Sequence, residues 1–196
     1  MIELYIARHG QTEENVRRIL QGQMPGHLTA EGIRQAEELR DRLRHHHFDL
    51  IFSSDLLRAT ATARIVAEPH GGQFREEPLL RERDFGIHTG GPYIKISRAL
   101  DPSAETVEQV ALRAQQFLEQ IATLPASQAT APGPRAPIRV LAISHGLFLR
   151  ILQGVYHGIP THDVEKMDNA EVRLLPIRPG QHFSIQPQGE TGGTAN

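Results

Sequence analysis

Two short apolar runs in this 196-residue chain end in the same dipeptide. Leu4-Tyr5-Ile6-Ala7 leads into Arg8-His9-Gly10, and Val140-Leu141-Ala142-Ile143 leads into Ser144-His145-Gly146. Imidazole changes charge near neutral pH, so it serves as nucleophile, base or acid with little tuning. A third run, Asp49-Leu50-Ile51-Phe52, is followed by what reads as a helix with Arg58 in its first turn. Arg8 and Arg58 add planar forks of donors that match phosphate oxygens and keep their charge when buried. Two imidazoles and two guanidiniums, once gathered, make a pocket for a phosphate group. In such a pocket Arg8, Arg58 and a protonated His145 supply positive charge while a neutral His9 attacks phosphorus, forming a phosphohistidine. Two-step transfer also needs a proton donor for the departing alkoxide and a base for water. Glu82, in Leu79-Leu80-Arg81-Glu82-Arg83-Asp84-Phe85-Gly86, is the candidate for both roles, with Asp84 the second choice.

The elements that must gather these residues follow from the hydrophobic pattern. Residues 2–7 and 140–143 read as buried central strands. Thr29 is placed to N-cap a helix running to about residue 46, with Ile33, Ala36, Leu39 and Leu43 on one face. Ser54 or Asp55 is expected to cap a second helix carrying Leu56, Ala59, Ala63 and Val66, stopped by Pro69. Strands alternating with helices predict a βαβ arrangement, and ligands of open α/β sheets bind at the carboxyl ends of the strands. His9 and His145 stand at two such ends, where Gly10 and Gly146 let the backbone turn and a ligand approach. Beyond Glu82 the pattern breaks at His88-Thr89-Gly90-Gly91-Pro92, and residues 83–105 read as a lid or small cap. Arg83, His88, Lys95 and Arg98 lie there, within reach of an acidic substrate or simply solvated. Ser103 is expected to start an amphipathic helix with Val107, Val110, Ala114, Phe117, Leu118 and Ile121 at helical spacing. Residues 125–137 read as a surface loop, and 187–196 as a disordered tail behind a single domain spanning 1–186.

Composition removes several function classes. The absence of Cys excludes thiolate nucleophiles and Cys-ligated metals. A net charge of -2 gives no global attraction to nucleic acid or anionic membrane, so any anion site is local. The start, Met1 to Arg8, is charged too early for a signal peptide, and no apolar run approaches the ~20 residues that span a bilayer. A cytoplasmic protein without nucleic-acid or membrane partners is expected. His45-His46-His47 point in different directions on a helix and cannot share one ion, while His70, His157, His162 and His182 read as surface residues. No metal or other cofactor is expected.

In their order along the chain, these residues resemble the histidine phosphatase superfamily, also called phosphoglycerate mutase-like. Arg8-His9-Gly10-Gln11-Thr12 with Asn15 is similar to its signature. Leu28-Thr29-x-x-Gly32-x-x-Gln35-Ala36 and Ser53-Ser54-Asp55-Leu56-x-Arg58-Ala59-x-x-Thr62-Ala63 are similar to its next two blocks. Glu82-x-x-Phe85-Gly86 and Ser144-His145-Gly146 complete the set, and the resemblance covers roughly residues 1–90 and 138–175. It implies His9 as the phosphorylated nucleophile, with Arg8, Arg58 and His145 as its phosphate-binding companions and Glu82 as proton donor. It further implies Asn15 as a phosphate contact, with Gln11 and Thr12 in the same loop, Gly146 beside His145, and Asn169 from a later block. The implied fold is a three-layer α/β/α sandwich on a mainly parallel sheet with one antiparallel strand. Two departures matter. Ile87-His88-Thr89-Gly90-Gly91 replaces the family's usual aromatic residue and Glu-Gly, and the 63 positions from Glu82 to His145 fall short of the insertion that mutases use to enclose a bisphosphate. The resemblance therefore implies hydrolysis of a small phosphorylated metabolite or other phosphomonoester. The alternatives are phosphoglycerate mutase-type transfer and a non-catalytic module that binds a phosphate ligand.

Overall fold

A computed structural model of the chain describes residues 1–93, 101–125, 127 and 137–186. Its strands are β1 (Ile2–Arg8), β2 (Leu50–Ser53), β3 (Arg75–Glu76), β4 (Ile138–Ser144) and β5 (Val172–Ile177). They form one sheet in the order β3-β2-β4-β1-β5. All neighbours are parallel except β5, which runs antiparallel to β1. The register between the two central strands pairs Arg8 with Ser144, so the next residues, His9 and His145, leave the sheet side by side.

Helices α2 (Ala30–Leu43) and α3 (Leu57–Ala67) cover one face; α4 (Val107–Ala122) and α5 (Gly146–His157) cover the other. Alternate residues of β4 divide between the two cores: Val140 and Ala142 pack with Phe117, Leu118 and Phe148, whereas Leu141 and Ile143 pack with Leu39, Ala59 and Ala63. Burial on both faces is why this central strand reads as a continuous apolar run. The architecture is the expected three-layer α/β/α sandwich on a mainly parallel sheet with one antiparallel strand.

Several boundaries differ from expectation, each for a local reason. Helix α3 starts at Leu57 with Leu56 as an N-cap lacking a side-chain hydrogen bond; Ser54 Oγ serves His145 and the amide of Leu56 just ahead of the helix, and Asp55 pairs with Arg81. Helix α4 starts at Val107, not Ser103, because Thr106 and Gln109 form a capping box. Helix α2 ends at Leu43, and Gly32 rather than Ile33 lies on its buried face; Ile33 is 43% exposed. His70 is half-buried and packs edge-on against Phe48, ring centroids 5.2 Å apart. Lys95 and Arg98, the tail 187–196 and most of the 125–137 loop lie outside the described residues.

The loop after β1 is seated on α2 by two glycines. A Cβ on Gly10 would stand 2.3 Å from the carbonyl oxygen of Gly32, and one on Gly32 would stand 2.0 Å from that of Gln11. Backbone meets backbone here, so nothing flexible can yield. Gly32→Ala is expected to cost about 3 kcal/mol, near the upper end for overpacking. That corresponds to a Tm lower by roughly 6–12 °C for a chain of this size, readable by thermal unfolding. An unchanged Tm would mean that the loop can lift away freely.

Candidate active site

His9 and His145 lie with ring centroids 5.2 Å apart, both buried. The Nδ1 of His9 is 2.7 Å from the carbonyl of Gly10, which can only accept. The proton of the neutral ring therefore sits on Nδ1, leaving the Nε2 lone pair free. In His145 the order is reversed. Nδ1 accepts from Arg58 Nε at 3.1 Å, and Nε2 donates to Ser54 Oγ at 2.8 Å. Burial, reinforced by the positive charges of Arg58 and Arg8, holds both imidazoles well below the ordinary value of 6.5. The protonated His145 expected from sequence is thus corrected: with Arg58 donating to Nδ1, the ring is neutral, and the positive charge belongs to the two arginines.

Depressed imidazole values also set a pH dependence of stability. As pH falls below 6.5, the unfolded chain takes up protons on both rings while the folded protein does not, so stability is lost on acidification. The slope reaches up to about 1.4 kcal/mol per pH unit for each ring, and the pair contributes none above their unfolded value. Denaturant unfolding between pH 8 and pH 5 measures it. A flat profile below 6.5 would mean that the rings are charged in the folded protein.

Arg58 is 1% exposed, and its guanidinium is anchored through all three nitrogens with one Nη2 hydrogen to spare. Besides His145, it donates to the carbonyls of Gly22 (2.7 Å), Met24 (2.5 Å) and Pro25 (3.4 Å). Burial lowers its pKa to about 10, which leaves it charged at neutral pH. Arg8, at the end of β1, donates through Nη1 to the carbonyl of Met167 at 2.8 Å, while its buried Nε has no partner among the described residues. An unpaired buried donor beside a nucleophile points to an acceptor supplied by a ligand. Gly146 makes room for this arginine, since a Cβ there would lie 3.1 Å from Arg8 Nε. The requirement at Gly146 is close approach of a side chain, not a turn.

Glu82 is held by backbone alone. Its Oε1 accepts from the amides of Phe148 and Arg83, both at 2.9 Å, and its Oε2 accepts from Leu147 at 3.1 Å. This places the carboxylate over the first turn of α5, directly after His145 and Gly146. Its charged neighbours in sequence are engaged elsewhere: Arg81 with Asp55, and Arg83 with the carbonyl of Glu105 and the ring of Phe85. Arg83, at 7% exposure, is buried and does not stand out toward a substrate. Asp84 accepts from the amide of Gly86 and shapes the turn.

A cleft of about 510 Å³ opens beside these groups, lined by Arg8, Gln11, Asn15 and Asn169 and, farther out, by Val16, Arg18, Ile19 and Tyr93. Asn169 donates to the carbonyl of His9 at 3.0 Å, tying the late loop to the first. Thr12 is fully buried, and its hydroxyl is spent on a capping box with Asn15 at the start of α1 (Glu13–Val16), so its contribution is to fix Asn15. Gln11 lines the cleft while its Oε1 accepts from Thr29. The two non-glycine residues in the left-handed region among those described, Arg18 and Ala170, both flank this site. Ala170 uses that conformation to donate its amide to the carbonyls of Arg8 and His9, strain that the packed strand ends hold in place. Two contributors were not placed in the site from the sequence: Ser54, expected only as a helix cap, which holds His145, and Thr62, whose hydroxyl accepts from the amide of Gly10 at 3.1 Å. Both stand in the block that carries Arg58, and their small hydroxyls at buried positions were the available signal.

Paired imidazoles and guanidiniums at the carboxyl edge of a parallel α/β sheet define a protein built around a phosphate group. The chain belongs to the histidine phosphatase superfamily (branch 1), whose sequence pattern matches residues 4–186. It is 30% identical over 177 residues to a protein of Enterobacter sp. (strain 638) named "Probable phosphoglycerate mutase GpmB", covering 83% of this chain and 78% of that one. Among solved structures it is similar to a mycobacterial glucosyl-3-phosphoglycerate phosphatase, with a TM-score of 0.76 and 27% identity over 88% of this chain and 89% of that one. It is also similar to a phosphoglycerate mutase from Bacillus anthracis, with a TM-score of 0.76 and 25% identity over 94% of this chain and 91% of that one. Relatives of both kinds, hydrolase and mutase, surround it. No helix among the described residues is long and apolar enough to cross a membrane.

Proposed function

We propose that the protein is a metal-independent phosphatase that hydrolyses phosphomonoesters of small cytoplasmic metabolites through a phosphohistidine on His9. The observation that carries this reading is the pairing of a free Nε2 lone pair on neutral His9 with an unpaired buried Nε on Arg8. In the first step His9 Nε2 bonds to phosphorus, the bond from phosphorus to the ester oxygen breaks, and Glu82 gives its proton to the departing alkoxide. In the second, water attacks phosphorus, Glu82 takes the water's proton, and the nitrogen–phosphorus bond breaks. Ester and water go in; alcohol and inorganic phosphate come out. Arg8, Asn15 and the remaining Nη2 hydrogen of Arg58 hold the phosphoryl oxygens as their charge shifts, His145 orients Arg58 beside them, and Gln11, Gly146 and Asn169 shape the pocket. The outer cleft at Val16, Arg18, Ile19 and Tyr93 takes the alcohol; Tyr93 is 61% exposed and offers a face to it.

Purified protein in EDTA, assayed across a panel of phosphomonoesters that includes an aryl phosphate, tests the reading. Release of inorganic phosphate with a ranked set of kcat/KM values is expected. The mutase-named relative motivates the second reading, phosphoryl exchange between the 2- and 3-positions of phosphoglycerate. Exchange outrunning phosphate release would favour it. Tight ligand binding without turnover of any ester would replace both with a binding module.

A further inference from the structure

We infer that Arg113, clamped by Glu105, is the positioning residue that fixes Glu82 for proton transfer to the leaving group; the inference rests on the proposed role of Glu82. Arg113 stands on α4, is not among the residues that line the phosphate cleft, and directs its hydrogen bonds to Leu79, Arg81, Glu82 and Glu105 rather than to that lining. Its guanidinium reaches both supports of Glu82. Nη1 donates to the carbonyls of Leu79 (2.8 Å) and Arg81 (3.1 Å), and Nη2 lies 3.5 Å from the carbonyl of Glu82 itself. The same guanidinium carbon sits 5.3 Å from the centre of the Phe148 ring, and Phe148 is the residue whose amide binds the Glu82 carboxylate.

Glu105 orients this fork. Its two oxygens accept from Arg113 Nε at 2.7 Å and Nη2 at 2.9 Å, a bidentate pair that a point charge cannot reproduce. Glu105 also grips the chain on the far side of Glu82. Its Oε2 accepts from the amide of Asp84, its own amide donates to the carbonyl of Asp84, and its carbonyl accepts from Arg83 Nε. Residues 79–84 contain no helix or strand beyond the turn at Pro78–Leu80, so side chains hold the backbone bearing Glu82: Ser144 binds the carbonyl of Leu80, Asp55 pairs with Arg81, and the Arg113–Glu105 clamp grips the carbonyls of Leu79 and Arg81 and both backbone groups of Asp84. A carboxyl that must meet an ester oxygen within hydrogen-bond reach is sensitive to displacements of about 1 Å.

The leaving group supplies a readout that a merely structural role would not move. An alkoxide needs a proton as it departs, whereas a nitrophenolate leaves without one. The quantity to compare is kcat/KM, which reports attack and departure but not the later hydrolysis of the phosphohistidine. Glu82→Gln is expected to lower kcat/KM for an alkyl phosphate by about 100- to 1000-fold and to spare nitrophenyl phosphate by comparison. Arg113→Gln is expected to lower the alkyl value about 30-fold while the aryl value stays within about threefold. The double variant should be no slower on the alkyl ester than Glu82→Gln alone, because Arg113 acts through Glu82. Arg113→Lys, lacking the fork, should resemble Arg113→Gln. Glu105→Gln, read in the same way, gives the answer should Arg113→Gln fail to fold. A loss that is equal for both esters, no loss for either, or additive losses in the double variant would overturn the inference while a selective Glu82→Gln leaves the proton-donor reading standing. A Glu82→Gln variant that slows both esters alike would overturn that reading, and the inference with it.

Discussion

His9→Ala is expected to lower kcat by about 10⁵- to 10⁶-fold, the scale on which a covalent nucleophile's removal is felt, and to abolish an acid-labile phosphoenzyme. The ring's geometry is the reason. With its proton held on Nδ1 by the Gly10 carbonyl, the nitrogen left to react is Nε2, and the ring is kept neutral by burial and two arginines. No second nucleophile stands ready to take over. His145 has both nitrogens engaged, Nδ1 by Arg58 and Nε2 by Ser54, and the chain contains no Cys. Rapid quenching after mixing with a radiolabelled phosphomonoester reads the outcome directly. Wild-type protein and His145→Ala should both carry label that acid releases and alkali preserves, and His9→Ala should carry none. Label persisting on His9→Ala would move the nucleophile elsewhere and sink the phosphohistidine reading.

The charge distribution explains how such a pocket stays ready. Neither Arg8 nor Arg58 forms an ion pair with a carboxylate among the described residues; their donors go to backbone carbonyls and to His145. Carbonyl dipoles orient a guanidinium without cancelling its charge, so the charge is available to the phosphoryl oxygens. Glu82, the acid that acts most strongly on both arginines, is bound in turn by three amides rather than by either of them. Cation and carboxylate are thereby held close yet apart, each oriented by backbone.

That division also explains what was legible in the sequence. Strand ends announce themselves: an apolar run followed by Arg-His-Gly or Ser-His-Gly fixes both the element and the residue that leaves it, and the β1–β4 register then sets His9 beside His145. Arg58 was legible for the same reason, one helical turn beyond β2. Backbone partners are not legible, because every residue carries a carbonyl and an amide. The tethering of Arg58 to Gly22 and Met24, and of Glu82 to Leu147 and Phe148, depends on tertiary closure that no spacing encodes. Helix α3 shows the competition plainly. Ser54 and Asp55 look like caps by residue type, yet Ser54 binds His145 and the Leu56 amide ahead of the helix while Asp55 pairs with Arg81, and the two side-chain partners are distant in sequence. The neutral state of His145 is of the same kind, since it follows from burial and from the direction of the Arg58 Nε bond.

Arg58 carries the second large prediction because it combines three duties in one buried side chain. Arg58→Met, which keeps length and loses charge, should lower kcat/KM by about 10²- to 10³-fold through lost stabilisation of phosphoryl charge. It should also cost about 3 kcal/mol of stability, since the Gly22 and Met24 carbonyls lose their buried donor. The diagnostic effect is on pH. Arg58 is the largest electrostatic cause, after burial, of the depressed values of both imidazoles. His9 must be neutral to attack, so activity falls as pH drops through its value in the free enzyme. Removing the charge raises that value, and the acid limb of kcat/KM should move upward toward 6.5. Comparing variant and wild type on one ester cancels the ester's own titration. Arg58→Lys then separates field from geometry: an ammonium restores much of the charge but not the fork. Its acid limb should return toward the wild-type position while kcat/KM stays low. A limb that stays put in Arg58→Met would show that burial alone sets the nucleophile's protonation, and Arg58 would keep only its contacts to phosphoryl oxygens and to the 22–25 loop.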